Sequence, residues 1–214
     1  TIPGFLRYFE NVNLLKMSIK RKVNAVEKLY RELEKDVHKL RQGTGLTCVA
    51  GCGKCCFKAD IEATVLEFLP LAYHLYTHGE AVTWHEQLKS HPEQQVCKIL
   101  HVLAKDQRSG KCSQYQYRGL ICRLFAFSAT LDKYGQKRLS TCSIIKTELP
   151  ETYQRADAWV KKDKPIPVMR EYYFRLTTID HRLSENFYPI NTAIRFAIEE
   201  VLAYYSYRRT SKAS

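Results

Sequence analysis

The sequence predicts a mainly α fold, a single helical domain around an irregular cysteine-rich metal-binding centre with a small β-hairpin. Three observations support this. Apolar residues recur at helical spacing towards both ends of the chain, four cysteines crowd into positions 48–56, and the helical period fades around 122–142. At 214 residues the chain can bury a real core without covalent staples, so it is read as one domain over 1–214. Its parts are an N-terminal amphipathic helix over about 12–43, a cysteine region over 44–145 and C-terminal helices over 150–208.

In the first helix Ile19, Val23, Val26, Tyr30, Leu33, Val37 and Leu40 step by four and three, an apolar seam that predicts packing on the body. Gly43 is the expected C-cap. Glu27 and Arg31 form an i,i+4 pair on the polar face. Lys16, Lys20, Arg21 and Lys22 crowd the early turns, where the helix dipole disfavours cations, and so they are candidates for contact with a partner.

Thr64 with Glu67 fits a capping box opening a helix, which Pro70 should kink or shorten before Gly79 ends it. Thr83 with Glu86, then Ser90 with Pro92 and Glu93, mark two further helix starts. The second is expected to run through Val96, Ile99, Leu100 and Leu103, with Ser109–Lys111 as a turn. Two short strands joined near Asp132–Gly135 follow. Helices are then expected over Pro150–Lys161, Pro167–Leu183 and Pro189–Arg208, the last burying Ile190, Ile194, Ile198, Val201 and Tyr205.

Composition narrows the class. An apolar fraction of 45% argues against disorder. The best apolar stretch, Val65–Tyr76, is too short to span a bilayer and contains Glu67. The opening TIPGFLRYFENVNLLK has no apolar core before a cleavage site, so no secretory signal is visible. A soluble, cytoplasmic protein with no membrane partner is expected. The 34 basic and 22 acidic residues give a net charge of +12, which suits solvated helical faces and leaves nucleic acid or an acidic protein as candidate partners.

The eight cysteines are Cys48, Cys52, Cys55, Cys56, Cys97, Cys112, Cys122 and Cys142. Disulfides, unligated core thiols and metal ligands are the alternatives; in a reducing compartment clustered cysteines favour metal. Cys52-Gly-Lys-Cys55 is a two-residue clip of the kind found at zinc and iron–sulfur sites. Adjacent Cys55 and Cys56 should point different ways and serve different centres, or leave one as a spare thiol. Two four-sulfur shells would use all eight, although spacing does not pair them. Lys54, Lys58, Lys111, Arg118 and Arg123 stand beside these positions and are candidates to offset thiolate charge.

The run Cys112-Ser-Gln-Tyr-Gln-Tyr-Arg118-Gly119-Leu-Ile-Cys122-Arg123, with Cys48, Cys52, Cys55 and Cys56 before it, resembles the CxxCxxCC (YkgJ-type) cysteine-cluster family. That family comprises zinc- or iron-chelating proteins and includes flagellin lysine N-methylase. The resemblance covers 48 to about 142, maps the family's eight cysteines onto all eight here, and places its acidic residue at Glu67. It implies eight metal ligands, zinc or iron as cofactor (a [4Fe–4S] cluster among the forms), and an iron–sulfur oxidoreductase or protein lysine N-methylase-like activity. The chain departs from the pattern twice: the first gap is one residue longer, and Gly119 replaces the family proline.

Cys48-x3-Cys52-x2-Cys55 also has the spacing of the radical S-adenosylmethionine motif. Lys54, however, stands where those enzymes carry an aromatic residue, and the repeated βα pattern of their barrel is missing. His74, His78, His85, His91 and His101 fall on expected helices without a paired-ligand motif, and read as ordinary histidines, any one of which could replace a cysteine as ligand. No P-loop, Rossmann glycine pattern or nucleophile elbow occurs. Catalytic residues, substrate and protein partner are not read from the chain.

Overall fold

The computed structural model describes residues 17–49, 52–91, 96–103 and 109–210. Its framework is mainly helical, with small two-stranded antiparallel sheets between the helices. Helix α1 (Ile19–Thr44) buries the whole predicted seam. It packs against α2 (Leu69–Thr77), α6 (Pro150–Lys161) and α7 (Met169–Thr177). The first residues of the expected helix, Lys16 among them, lie outside the described residues.

Ser18 caps α1, its hydroxyl accepting the Arg21 amide hydrogen at 3.4 Å. The helix does not stop at Gly43 as expected. It runs on to Gly45, whose φ of 72° and N–H bond to the Arg41 carbonyl close the last turn. Gly43 instead makes room for a ring, since a Cβ there would lie 2.2 Å from Trp159. Glu27 and Arg31 pair as expected, at 4.0 Å on the exposed face. Lys22 departs from the expected cationic patch: it is buried and paired with Asp180 at 2.6 Å.

Strand β1 (Glu62–Thr64) pairs with β6 (Phe187–Pro189), far along the chain. A 3-10 turn (Leu66–Phe68) then leads into α2. The expected capping box is half formed: the Glu67 carboxylate accepts the Thr64 amide hydrogen at 2.8 Å, yet Thr64 ends β1 and does not cap a helix. Pro70 sits in the first turn of α2, where a missing N–H is harmless, so it produces no kink. Helix α3 (Ala81–Ser90) starts after Glu80, which leaves Thr83 inside it and corrects that cap as well.

The helix expected through Val96, Ile99, Leu100 and Leu103 is not formed. Leu100–Val102 is strand β2, paired with β3 (Gly110–Cys112), so Ser109–Lys111 enters a strand. The Ile99 carbonyl accepts both the amide and the hydroxyl of Ser113, each at 2.9 Å, which holds this backbone extended. Pro92 and Glu93, the expected start of that helix, lie outside the described residues.

Helix α4 (Leu120–Leu124) precedes the predicted hairpin of β4 (Ser128–Leu131) and β5 (Lys137–Ser140). Asp132 organises its turn, one carboxylate oxygen accepting the Tyr134 and Gln136 amide hydrogens, each at 2.9 Å. Next come α5 (Ser143–Glu148) and α6. The expected helix over 167–183 is broken into α7 and α8 (His181–Ser184), because extended Asp180 caps α8 through the Leu183 amide, at 3.1 Å. Helix α9 (Ile190–Thr210) packs on α2 and α3 and buries Ile190, Ile194, Ile198 and Val201, with Tyr205 half-buried. Among the described residues no helix is long and apolar enough to cross a membrane.

Candidate metal centre

Five short backbone segments carry the cysteines. Past Gly45 the chain sinks Leu46 into the core and brings Cys48 to the surface. Gly53 then turns it with φ 55°, and a Cβ there would lie 2.6 Å from the Gly110 carbonyl oxygen. Only glycine allows this approach, which presses the Cys52–Cys55 clip against strand β3. The Cys56 amide bonds the Gly53 carbonyl at 2.8 Å, closing a 3-10 turn over Lys54–Phe57.

The Cys97 amide donates to the Cys56 carbonyl at 3.3 Å, joining the second segment to the first. The β2–β3 ladder sets Cys112 opposite Leu100. Cys122 lies in α4, and Cys142 stands at the head of α5. None of the eight is in a disulfide.

The sulfurs of Cys55 and Cys56 lie 4.0 Å apart. The adjacent pair therefore does not diverge as its sequence position suggested; the separation is close to that of two ligands on one tetrahedral zinc, about 3.8 Å for bonds of about 2.3 Å. The hydrogen bond between the two sulfurs, with Arg118 nearby, pulls the Cys55 thiol below its ordinary range. The same hydrogen bond, with burial, pushes Cys56 far up.

Beyond this pair the neighbours differ. Cys48 is exposed, but partial desolvation by the surrounding chain still raises its thiol, and the charges of Cys52, Cys55 and Cys142 add to this. Cys56 feels Cys97 and Cys122 besides Cys55. Burial raises Cys97 to about 11, with Cys112 and Cys55 nearby. It raises Cys122 strongly, with Cys97, Cys55 and Cys112 adding to the effect. Cys55 is the neighbour these thiols share: its charge acts on Cys48, Cys56, Cys97, Cys112 and Cys122, while Cys52 and Cys142 act on Cys48.

A polar frame holds the turn before Cys122. Glu67 is fully buried, and its two oxygens accept the Thr64 amide at 2.8 Å and the Ile121 amide at 2.9 Å. Burial lifts its carboxyl to about 7 against the pull of these amides. The Tyr30 hydroxyl donates to the Glu67 carbonyl at 2.8 Å. Arg123 is buried over the Tyr30 ring and pairs with Glu34. It also donates to the carbonyls of Arg118 at 3.1 Å and Gln116 at 2.5 Å. These bonds hold the turn before Cys122 without the family's proline. Gly119 is filled by its surroundings, since a Cβ there would lie 2.9 Å from Phe68 and 3.1 Å from the Glu67 carboxylate.

Asn191, at the start of α9, is the positioning residue that sequence reasoning missed. Its side chain bonds the Lys98 amide at 2.8 Å and the Val96 carbonyl at 2.9 Å, on either side of Cys97. No local motif announces it, because its partners are far away in sequence. Three of the histidines are engaged elsewhere: His74 with the Tyr117 hydroxyl at 3.0 Å, His78 with the His74 carbonyl at 2.8 Å, and His85 with Glu199 at 2.8 Å. His101 is exposed on β2, not on a helix.

The donor chemistry suits zinc or iron: soft sulfurs with a guanidinium close by. The shell is open, however. Among the described residues no three Cys, His, Asp or Glu side chains are drawn together tightly enough to hold an ion. No curated protein and no solved structure matches the chain. Residues 47–143, the stretch that carries all eight cysteines, match the model of the CxxCxxCC family, described as a putative zinc- or iron-chelating domain.

Proposed function

We propose that the protein is a cytoplasmic metal-cluster protein that holds zinc or iron on its eight cysteines, divided between two centres. Cys48, Cys52, Cys55 and Cys142 would form one centre, and Cys56, Cys97, Cys112 and Cys122 the other. The observation that carries the reading is that unbridged thiols from five separate segments lie within reach of one another's charge. Without metal the ionised form of such a group is unfavourable, because each thiolate disfavours ionisation of its neighbours. A cation removes that penalty and adds folding free energy directly.

A zinc tetrathiolate and a [4Fe–4S] cluster on four thiolates each carry about two net negative charges, so both suit this donor set. Zinc there would supply structure; a cluster would supply electron transfer or a protein-modifying chemistry. Anaerobic purification with metal and sulfide analysis tests the reading. The expected result is stoichiometric zinc in colourless protein, or iron with sulfide in brown protein. Four intact disulfides under non-reducing alkylation, or an unchanged thermal transition after the metal is stripped, would overturn it.

A second reading is favoured by the start of α1, where Lys20 and Arg21 are exposed and the first turn holds no acidic residue. In that reading zinc is structural and the basic face contacts nucleic acid or an acidic protein.

A further inference from the structure

Five cations flank the cysteines in sequence, and the fold separates them. Lys54, Lys58 and Lys111 are exposed, where a charge is screened by water and contributes little. Arg123 is committed to Glu34, to two backbone carbonyls and to the Tyr30 ring. Arg118 is different. Its guanidinium carbon lies 4.0 Å from the centre of the Tyr115 ring, and its Nε is buried with no hydrogen-bond partner. A buried donor left unpaired costs on the order of 1–3 kcal/mol, which a native structure tolerates where a partner is still to arrive.

The surroundings say which partner. Arg118 follows Cys112 within one short turn, and its carbonyl is fixed by the Arg123 Nε at 3.1 Å, so the backbone that carries the side chain is held. Its positive charge acts on both Cys55 and Cys112. One of these thiols lies in the 3-10 turn of the clip and the other in strand β3, so a single guanidinium serves two separate segments.

We propose that Arg118 is the counter-charge of the cysteine cluster, supplying its unused N–H and its positive charge to the metal-bound thiolates of Cys55 and Cys112. The inference rests on the metal-binding reading above. An N–H aimed at a thiolate lowers the energy of the sulfur lone pair, so it both strengthens metal retention and alters the absorption of the metal–sulfur bond. Arginine suits this better than lysine because its planar fork is weakly hydrated and fixed by stacking.

The test is an anaerobic titration of the reduced, metal-free full-length chain with Co2+ alone, followed by sulfur-to-cobalt charge-transfer absorption. Arg118→Gln should bind Co2+ about 10-fold more weakly, with the charge-transfer band moved to lower energy. Arg118→Lys keeps the charge but not the Nε–H; it should recover most of the affinity while the band stays shifted, and it serves as the test should the glutamine variant fail to fold. Parent-like affinity and band position in either variant overturn the proposal. So does an equal loss in both variants that follows a lowered thermal transition of the metal-free protein, which marks a packing role only. Absence of any charge-transfer band in the parent protein overturns the metal-binding reading and this inference together, whereas normal Co2+ binding by parent and variants overturns the inference alone.

Discussion

Asn191 clamps Cys97 from both sides. Its side-chain oxygen accepts the amide hydrogen of Lys98, and its side-chain nitrogen donates to the carbonyl of Val96. The first residues of α9 thereby hold a cysteine that is otherwise fixed by the 3.3 Å bond from its amide to Cys56 and the 3.0 Å bond from the Leu100 amide to its carbonyl. Replacing Asn191 with alanine leaves two backbone groups unpaired and should cost about 1–3 kcal/mol of stability. The buried Cys97 thiol should then react faster with a disulfide reagent in metal-free protein. Unchanged labelling kinetics would show that the loop is held by something else.

Burial puts a pH dependence on the frame around α4. The Glu67 carboxyl is raised to about 7, so the folded state binds its proton more tightly than the unfolded chain does. Its contribution to stability is therefore fully present below the ordinary glutamate range and is lost as pH rises through about 7, by up to roughly 3 kcal/mol. Denaturant midpoints of metal-free protein at about pH 4.5 and about pH 8 should show this decline. In Glu67→Gln the decline should shrink, because the replacement does not ionise. Parallel profiles for the two proteins would assign the effect to other groups.

The adjacent thiols divide the two proposed centres. Cys55→Ser removes a soft ligand and the lowered thiol that Cys56 and Arg118 sustain, and should cost metal and stability together. Cys56→Ser should lose only part of the metal, since the set of Cys48, Cys52, Cys55 and Cys142 is left whole. Metal content per chain, compared with the parent, decides the matter. Complete loss in both variants would place the 4.0 Å pair on one shared ion, and full retention in Cys56→Ser would leave that residue a spare thiol.

The start of α1 separates a surface patch from a structural pair. Neutralising exposed Lys20 and Arg21 to glutamine should weaken binding to a polyanion and flatten its salt dependence, while folding is unchanged or slightly improved by relief of the dipole clash. Lys22→Gln should instead destabilise the protein, because it leaves Asp180 with only 14% of its side chain exposed and no ion pair. Equal salt-dependent binding by the double variant and its parent would reduce the patch to solvated charge.

The long helices were legible because their information is periodic and local: the α1 seam and the Ile190–Val201 face read directly as burial. The β4–β5 hairpin was legible through Asp132 and Gly135. Other features were not, for identifiable reasons. Ile99, Leu100 and Leu103 imitate helical spacing, yet a three-residue strand pairs here with Gly110–Cys112, a partner that no window of the sequence reveals. Glu67 looked like a helix cap and instead tied β1 to α4 across the fold. At the cysteines, spacing pointed to thiolate ligands but gave no grouping. Proximity depends on how five segments are pressed together, and Gly53 against Gly110, Asn191 around Cys97 and Arg123 under the turn do that pressing.

The long-range ladder of β1 with β6 bears on how the chain is born. Glu62 faces Pro189 and Thr64 faces Phe187, so a ribosome releases every cysteine well before the strand that closes the framework has been made. Until then β1 has no partner edge and Cys97 has no Asn191, leaving the thiols open to oxidation. Closure of so wide a loop is an intrinsically late event. Vectorial synthesis therefore sets an order: the cysteine-bearing stretch emerges first, and the strand and helix that close the framework around it follow.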